Sequence, residues 1–296
     1  MNIGMHFSIA GGLPQALIRA QLLGCEALQL FVQNPRSWRW RQVTSQEIDR
    51  FRQVRERCGI NVVAAHLSYL PNLGADDNNL WQRSWERLQA ELSLAKDLEI
   101  DFLVCHPGHA AVAREGHRRL ADGLNAVVQA LPPPPLILLE NTAGQKNELG
   151  QNLAALGEIF SLCQEPVGLC LDSAHAFAAG YNLRQAKHRQ RLAQEIATGP
   201  GLEALKLIHL NDALYPCGSR RDRHWHLGRG SIGKRGLQHF FSEFARQVAA
   251  IILETPKKEP AADASNLAMA RTLAAHVLRQ TPAEIRLAQG PGDGRR

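Results

Sequence analysis

A single-domain (β/α)8 TIM barrel is the fold class this sequence predicts, and three observations predict it. Eight short apolar runs alternate strictly with eight longer amphipathic stretches. The 296 residues suit one barrel of this kind, and a chain of that length buries roughly 75% of its unfolded surface without disulfide staples. No G-x-G-x-x-G follows the first run, which counts against the runner-up architecture, an open doubly wound sheet.

The first strand is "NIGMHF" near residue 2, and the first helix is expected over 12–23. "EALQLFV" (26–32) precedes a helix over 45–58, with Gly59 placed to cap its end. "INVVAAH" (60–66) precedes a helix over 79–98, where Leu88, Leu92, Ala95 and Leu98 share one face. "DFLVCH" (101–106) is followed by a helix over 114–130, which the proline run at 132–135 stops. "LILLE" (136–140) and "VGLCLD" (167–172) lead to helices over 151–163 and 182–198. "LKLIHL" (205–210) and "AIILET" (250–255) lead to helices over 234–248 and 261–279. The runs are apolar on successive residues, as parallel strands covered on both faces require. The barrel is expected to occupy 1–280, with "GPGDGRR" ending a loose tail over 281–296.

Composition narrows the function classes. The net charge of +6, rich in arginine, favours a polyanionic partner. Cys25, Cys58, Cys105, Cys163, Cys170 and Cys217 form no C-x-x-C pair, and most sit in apolar runs, so a reduced, cytoplasmic protein is expected. The N-terminal segment lacks the pattern of a signal peptide, and no apolar run is long enough to span a membrane.

In a barrel of this type the C-terminal ends of all strands surround one mouth, where active sites lie. Strand three ends at His66, four at His106, five at Glu140, six at Asp172, seven at His209 and eight at Glu254. His175 follows strand six, and the loop after strand seven carries Asp222 and His224. Any one of these alone is an ordinary cap or loop residue. Crowded at one rim, four carboxylates and five imidazoles need cations between them. Nitrogen and oxygen donors without thiolate suit zinc or manganese, and nine ligands suit three ions with one bridging carboxylate better than one ion. His117, His188, His239 and His276 fall on helices and are expected at the surface. His6 ends strand one and is placed to line the mouth. His109 and His226 adjoin proposed ligands, as supports behind them or as contacts to the polyanionic partner.

At this point the sequence resembles the endonuclease IV family of apurinic/apyrimidinic endonucleases. The matching stretches are "HLSYLPNLG" (66–74), "CHPGH" (105–109), "LLENTAGQ" (138–145) and "CLDSAHAFAAGYN" (170–182), then "IHLNDA" (208–213), "DRHWHLGRGSIG" (222–233) and "ILETP" (252–256). They keep the family's order and cover nearly the whole chain. The resemblance implies a zinc-dependent phosphodiester hydrolase of base excision DNA repair. It would cut double-stranded DNA 5′ to an abasic site, leaving a 3′-hydroxyl and a 5′-deoxyribose phosphate. One zinc would be held by His66, His106 and Glu140; a second by Glu140, Asp172, His209 and Glu254; a third by His175, Asp222 and His224. Glu140 is then the bridge and the catalytic residue, and manganese is an alternative at one site. The resemblance also implies that Arg36, Tyr69 and Leu70 fill the gap at the missing base, and that the enzyme is a monomer.

Two positions depart from the family pattern. Arg229 stands where Gly-Glu-Gly is usual, so that an acid has become a base, and Pro71 stands where a β-branched residue is commoner. Two rival readings are a metal-dependent sugar isomerase or epimerase on a similar barrel and a DNA-binding barrel without catalysis. The D-x-H pair at 222 and 224 adds a third cluster point that the first does not need, and the complete ligand set argues against the second.

Overall fold

A computed structural model of the chain describes residues 1–257, 259 and 261–279; the expected tail over 281–296 lies outside them. Seven strands come first: β1 (Asn2–Phe7), β2 (Ala27–Leu30), β3 (Val62–His66), β4 (Phe102–Cys105), β5 (Leu136–Glu140), β6 (Gly168–Asp172) and β7 (Leu205–His209). A two-stranded antiparallel ribbon follows, β8 (Asp212–Ala213) with β9 (His224–Trp225). Then β10 (Ala250–Leu253) pairs with both β1 and β7 and closes an eight-stranded parallel barrel.

The helices are α1 (Leu13–Leu22), α2 (Ser45–Cys58), α3 (Asn78–Asp97), α4 (Ala113–Ala130), α5 (Leu153–Leu162), α6 (Ser173–Ala179), α7 (Ala186–Thr198), α8 (Gly233–Phe244) and α9 (Ala262–Arg279). Side chains close several N-termini: Thr44 accepts from the Glu47 amide, Asp77 from Leu80 and Asn152 from Ala155. Gly59 ends α2 in the left-handed region, at φ 66°, as its position predicts.

The barrel interior is filled by small and branched side chains, among them Ala27, Val62, Ala64, Val104, Leu138, Leu207 and Ile252. A larger core lies between the outer strand faces and the helices. The interior is therefore packed, and only its rim is open to chemistry. Register brings the strand ends level: Asp172 pairs with His209, and Glu140 with Cys170.

Two elements differ from the sequence reading. The stretch expected to enter one helix at residue 182 holds two, α6 and α7, with Gly180 and the turn after it between them. Seven residues give too few turns for an apolar period to show, and α6 is fixed instead by Asp172, whose carboxylate accepts from the His175 amide at 2.6 Å. The helix expected over 234–248 ends at Phe244. All six cysteines are free thiols. Among the described residues no helix is long and apolar enough to cross a membrane.

Candidate metal centre

The mouth of the barrel brings together all nine acids and imidazoles named above. Glu140, buried at the end of β5, is the hub. Its Oε2 lies 3.2 Å from His66 Nε2 and 3.1 Å from His106 Nε2. Its Oε1 lies 3.0 Å from His209 Nδ1 and 3.2 Å from His175 Nδ1. Glu254, just past β10, reaches His209 Nδ1 at 3.3 Å. His224 on β9 sits 3.3 Å from His175, Nε2 to Nε2, and 3.5 Å from Asp172 Oδ2. Asp222, on the loop between β8 and β9, lies 3.2 Å from His175 Nε2 and 3.6 Å from His224 Nε2.

Three groups have donor atoms close enough to share an ion: His66 with His106 and Glu140; Glu140 with Asp172, His209 and Glu254; and Asp172 with His175 and His224. Within each, the atoms lie within 4.8 Å of one another. Oxygen and imidazole donors at that spacing, mostly buried, fit a divalent metal. Asp172 joins two groups, just as Glu140 does, so two carboxylates rather than one stand between neighbouring sites.

The electrostatics point the same way. Burial opposes ionisation of Glu140, but the imidazoles of His209 and His106 outweigh it and hold its carboxyl well below the usual carboxylate range. Burial also opposes charge on His175, yet Asp172 and Asp222 hold that imidazole well above its usual range. His6 goes the other way: burial pushes its pKa down, with Glu254 opposing. Protons on histidine thus balance carboxylates that a metal would otherwise neutralise.

Residues behind the ligands hold them in place. Asn211 donates to Asp172 Oδ2 at 2.7 Å and accepts from the Glu254 amide at 2.8 Å. Asn141 accepts from the Asp172 amide at 2.7 Å, and its own carbonyl faces His175 Nδ1 at 3.0 Å. Gln29 on β2 joins His209, Glu254 and His6. Asp212, fully buried on β8, accepts from the amides of Ala213, Gly228, Gly230, Ile232 and Gly233 and so ties the loop after β9 to the ribbon. Gly230 is obligatory there, since a Cβ would come within 2.5 Å of Asp212 Oδ1. Sequence reading missed all four. Their signal was position alone, one to three residues after a ligand or, for Gln29, as a polar residue inside an apolar run.

The remaining expectations divide. His6 lines the mouth and packs against Phe31, ring centroids 4.5 Å apart. His109 is exposed and bonds its neighbours through its main chain, to Asn72. His226 is buried against Asn266, 3.1 Å away. Arg229 is exposed, and its guanidinium faces Glu259 at 4.0 Å. His117 is 5% exposed and pairs with Glu158 at 3.0 Å, contrary to the surface position expected of it. It falls on the apolar stripe that Leu120, Ala121 and Leu124 continue.

Above the mouth two loops stand side by side, joined where the Tyr69 amide donates to the Pro35 carbonyl at 3.0 Å. Arg36 and Tyr69 project from them exposed, Tyr69 at 62%, with Leu70 37% exposed beside it. Buried Gln33 closes the neck of the first loop with two hydrogen bonds to the Arg41 backbone, both 2.9 Å. Half-buried Trp38 lies under Arg83, whose Cζ is 4.2 Å from the ring centroid, and Trp40 under Arg87 at 5.2 Å. Buried Glu91 accepts from Arg87 at 2.5 Å and from the Ser68 hydroxyl, anchoring the second loop, which carries Pro71, to α3. The cleft below holds about 350 Å3 and is walled by Phe31, Tyr69, Arg223 and Lys257 as well as the ligands.

The family model described as a xylose isomerase-like TIM barrel matches residues 17–275. A protein of Halothermothrix orenii named probable endonuclease 4 is 37% identical over 261 residues, covering 87% of this chain and 94% of that protein. The crystal structure of endonuclease IV from Thermus thermophilus superposes with a TM-score of 0.82 at 35% identity, covering 93% of this chain and all of that one. A D-tagatose 3-epimerase-like protein superposes with a TM-score of 0.69 at 16% identity over 94% of this chain and 97% of its own, a likeness of fold alone.

Proposed function

The chain belongs to the endonuclease IV family, and from that membership we propose that it hydrolyses double-stranded DNA on the 5′ side of an abasic site, leaving a 3′-hydroxyl and a 5′-deoxyribose phosphate. The observation that carries this reading is the convergence of eight ligand-type side chains into three adjoining groups at the barrel mouth, with Asp222 as a ninth beside His175 and His224. His66, His106 and Glu140 would hold one zinc, and Glu140, Asp172, His209 and Glu254 a second. His175, Asp222 and His224 would hold a third, with Asp172 also in reach of it. Manganese is an alternative at one site. When bound there, the cations supply charge neutralisation of the phosphodiester and Lewis-acid activation of water.

The chain's own residues do the rest. Three divalent cations against four carboxylates leave a net charge of two positive at the mouth, which suits an anionic phosphodiester. Glu140, fixed by four imidazoles, keeps neighbouring sites at a set spacing. Arg223 and Lys257 on the cleft wall are placed for flanking phosphates. Arg36, Tyr69 and Leu70 enter the gap at the missing base, where loss of stacking makes extrusion of the nucleotide cheap. One chain supplies every ligand, which supports a monomer as the working unit. A sugar epimerase needs one or two ions, and three groups exceed that requirement.

A duplex carrying a single abasic analogue is expected to be nicked once, on its 5′ side, by zinc-loaded protein. Glu140→Gln is expected to lower kcat by roughly 10³-fold, the several kcal/mol that metal charge contributes. Unimpaired nicking by that variant, or a cut on the 3′ side, contradicts the reading.

A further inference from the structure

Gln29 on β2 is fully buried beneath the rim, and its side-chain hydrogen bonds go to groups of the candidate metal centre. Its Oε1 accepts from His209 Nε2 at 2.8 Å. Its Nε2 donates to Glu254 Oε1 at 2.7 Å and to His6 Nδ1 at 3.1 Å. The opposite amide orientation would set an oxygen against the Glu254 carboxylate, so the partners admit one arrangement. With Nε2–H of His209 committed to Gln29, Nδ1 is the nitrogen left on the carboxylate side, 3.0 Å from Glu140 Oε1 and 3.3 Å from Glu254 Oε2. An imidazole binds metal through its unprotonated nitrogen, and the partner of the other nitrogen decides which one that is.

We propose that Gln29 is a positioning residue of the metal centre. It fixes the tautomer and ring plane of His209 together with the carboxylate of Glu254, and so sets the metal affinity of the group formed by Glu140, Asp172, His209 and Glu254. The proposal rests on the reading that this group holds a zinc. Gln29 itself holds none; it acts through two of the residues that would. His6 closes the arrangement from the far side, as a neutral acceptor packed on Phe31.

Gln29→Met keeps the length and bulk of the side chain and removes both the acceptor and the donor. Wild-type and variant proteins, each loaded with zinc, are titrated with a chelator. The His209 imidazole of the zinc-loaded wild type is read by proton–nitrogen NMR and assigned by its loss in His209→Asn. The variant is expected to release one class of zinc at roughly 10- to 100-fold lower affinity. The wild-type His209 is expected to carry its proton on Nε2. Equal zinc affinity in the two proteins, or a proton on Nδ1 in the wild type, overturns the role of Gln29. A wild type that takes up no zinc overturns the metal-centre reading and this proposal with it, a result distinct from zinc held equally. Should Gln29→Met fail to fold, the tautomer of the wild type still decides.

Discussion

Asp212 shows how much of this site is held by single side chains that bind nothing themselves. Its carboxylate is fully buried and is satisfied entirely by main-chain amides, five of them, four from the stretch 228–233. That stretch follows His224 directly. Gly228 and Gly230 wrap the carboxylate, whereas Arg229 between them points outward. The exchange of an acid for a base at position 229 therefore falls on an exposed side chain. Asp212→Asn puts an amide donor among amide donors. It is expected to cost about 2–3 kcal/mol and to lower Tm by several degrees, as calorimetry will measure. The strand-end acids and histidines were legible in the sequence because a barrel sends every strand end to one rim. Gln29 and Asp212 were not, because a polar residue in or beside an apolar run shows its purpose only once its partners, distant in sequence, are placed. His117 is the converse case: its spacing with Leu120 and Leu124 already put it on the buried stripe.

Among the elements, the loop that carries Arg36 is fastened at several points. Gln33 closes its neck, Trp38 and Trp40 pin it to α3, and Arg41 forms a two-pronged pair with Glu47 of α2. Glu47 also accepts from the Leu13 amide at the start of α1. Fastening of this kind prepays the ordering cost of a loop that inserts into DNA. Arg36→Ala is therefore expected to weaken binding to an abasic duplex by about 1–3 kcal/mol and to leave zinc content intact; loss of metal in that variant would place the residue elsewhere in the mechanism. The Arg41 hydrogen bonds hold the Glu47 carboxyl below the usual carboxylate range, with burial opposing. A carboxyl whose folded pKa is depressed adds stability above its unfolded pKa, about 4.3, and that stability is lost as pH falls through the folded value. Tryptophan fluorescence is accordingly expected to report loosening of this loop in acid below about pH 4, and Glu47→Gln to show the loosened signal already at neutral pH. The eight strands and most helices were readable from periodicity. The short α6 and the β8–β9 ribbon were not: one is too brief for a period, and the other pairs residues across an intervening loop.

The whole molecule is a packed barrel with its chemistry confined to one end. Its strands are level enough that residues as far apart in sequence as Gln29 and Glu254 come within 2.7 Å. The basic balance of the chain, read first from composition, finds a place at that end: Arg36, Arg223 and Lys257 border the same mouth as the ligands. Crowding four carboxylates and five imidazoles into one mouth is costly unless protons or cations join them, which is why the arrangement predicts a metal content. Anomalous diffraction at the zinc edge from crystals of the purified protein tests this most directly. Three peaks are expected at the rim: one between His66, His106 and Glu140, one between Glu140, Asp172, His209 and Glu254, and one beside His175, Asp222 and His224. A single peak, or peaks away from Glu140, would contradict the shared three-cation centre.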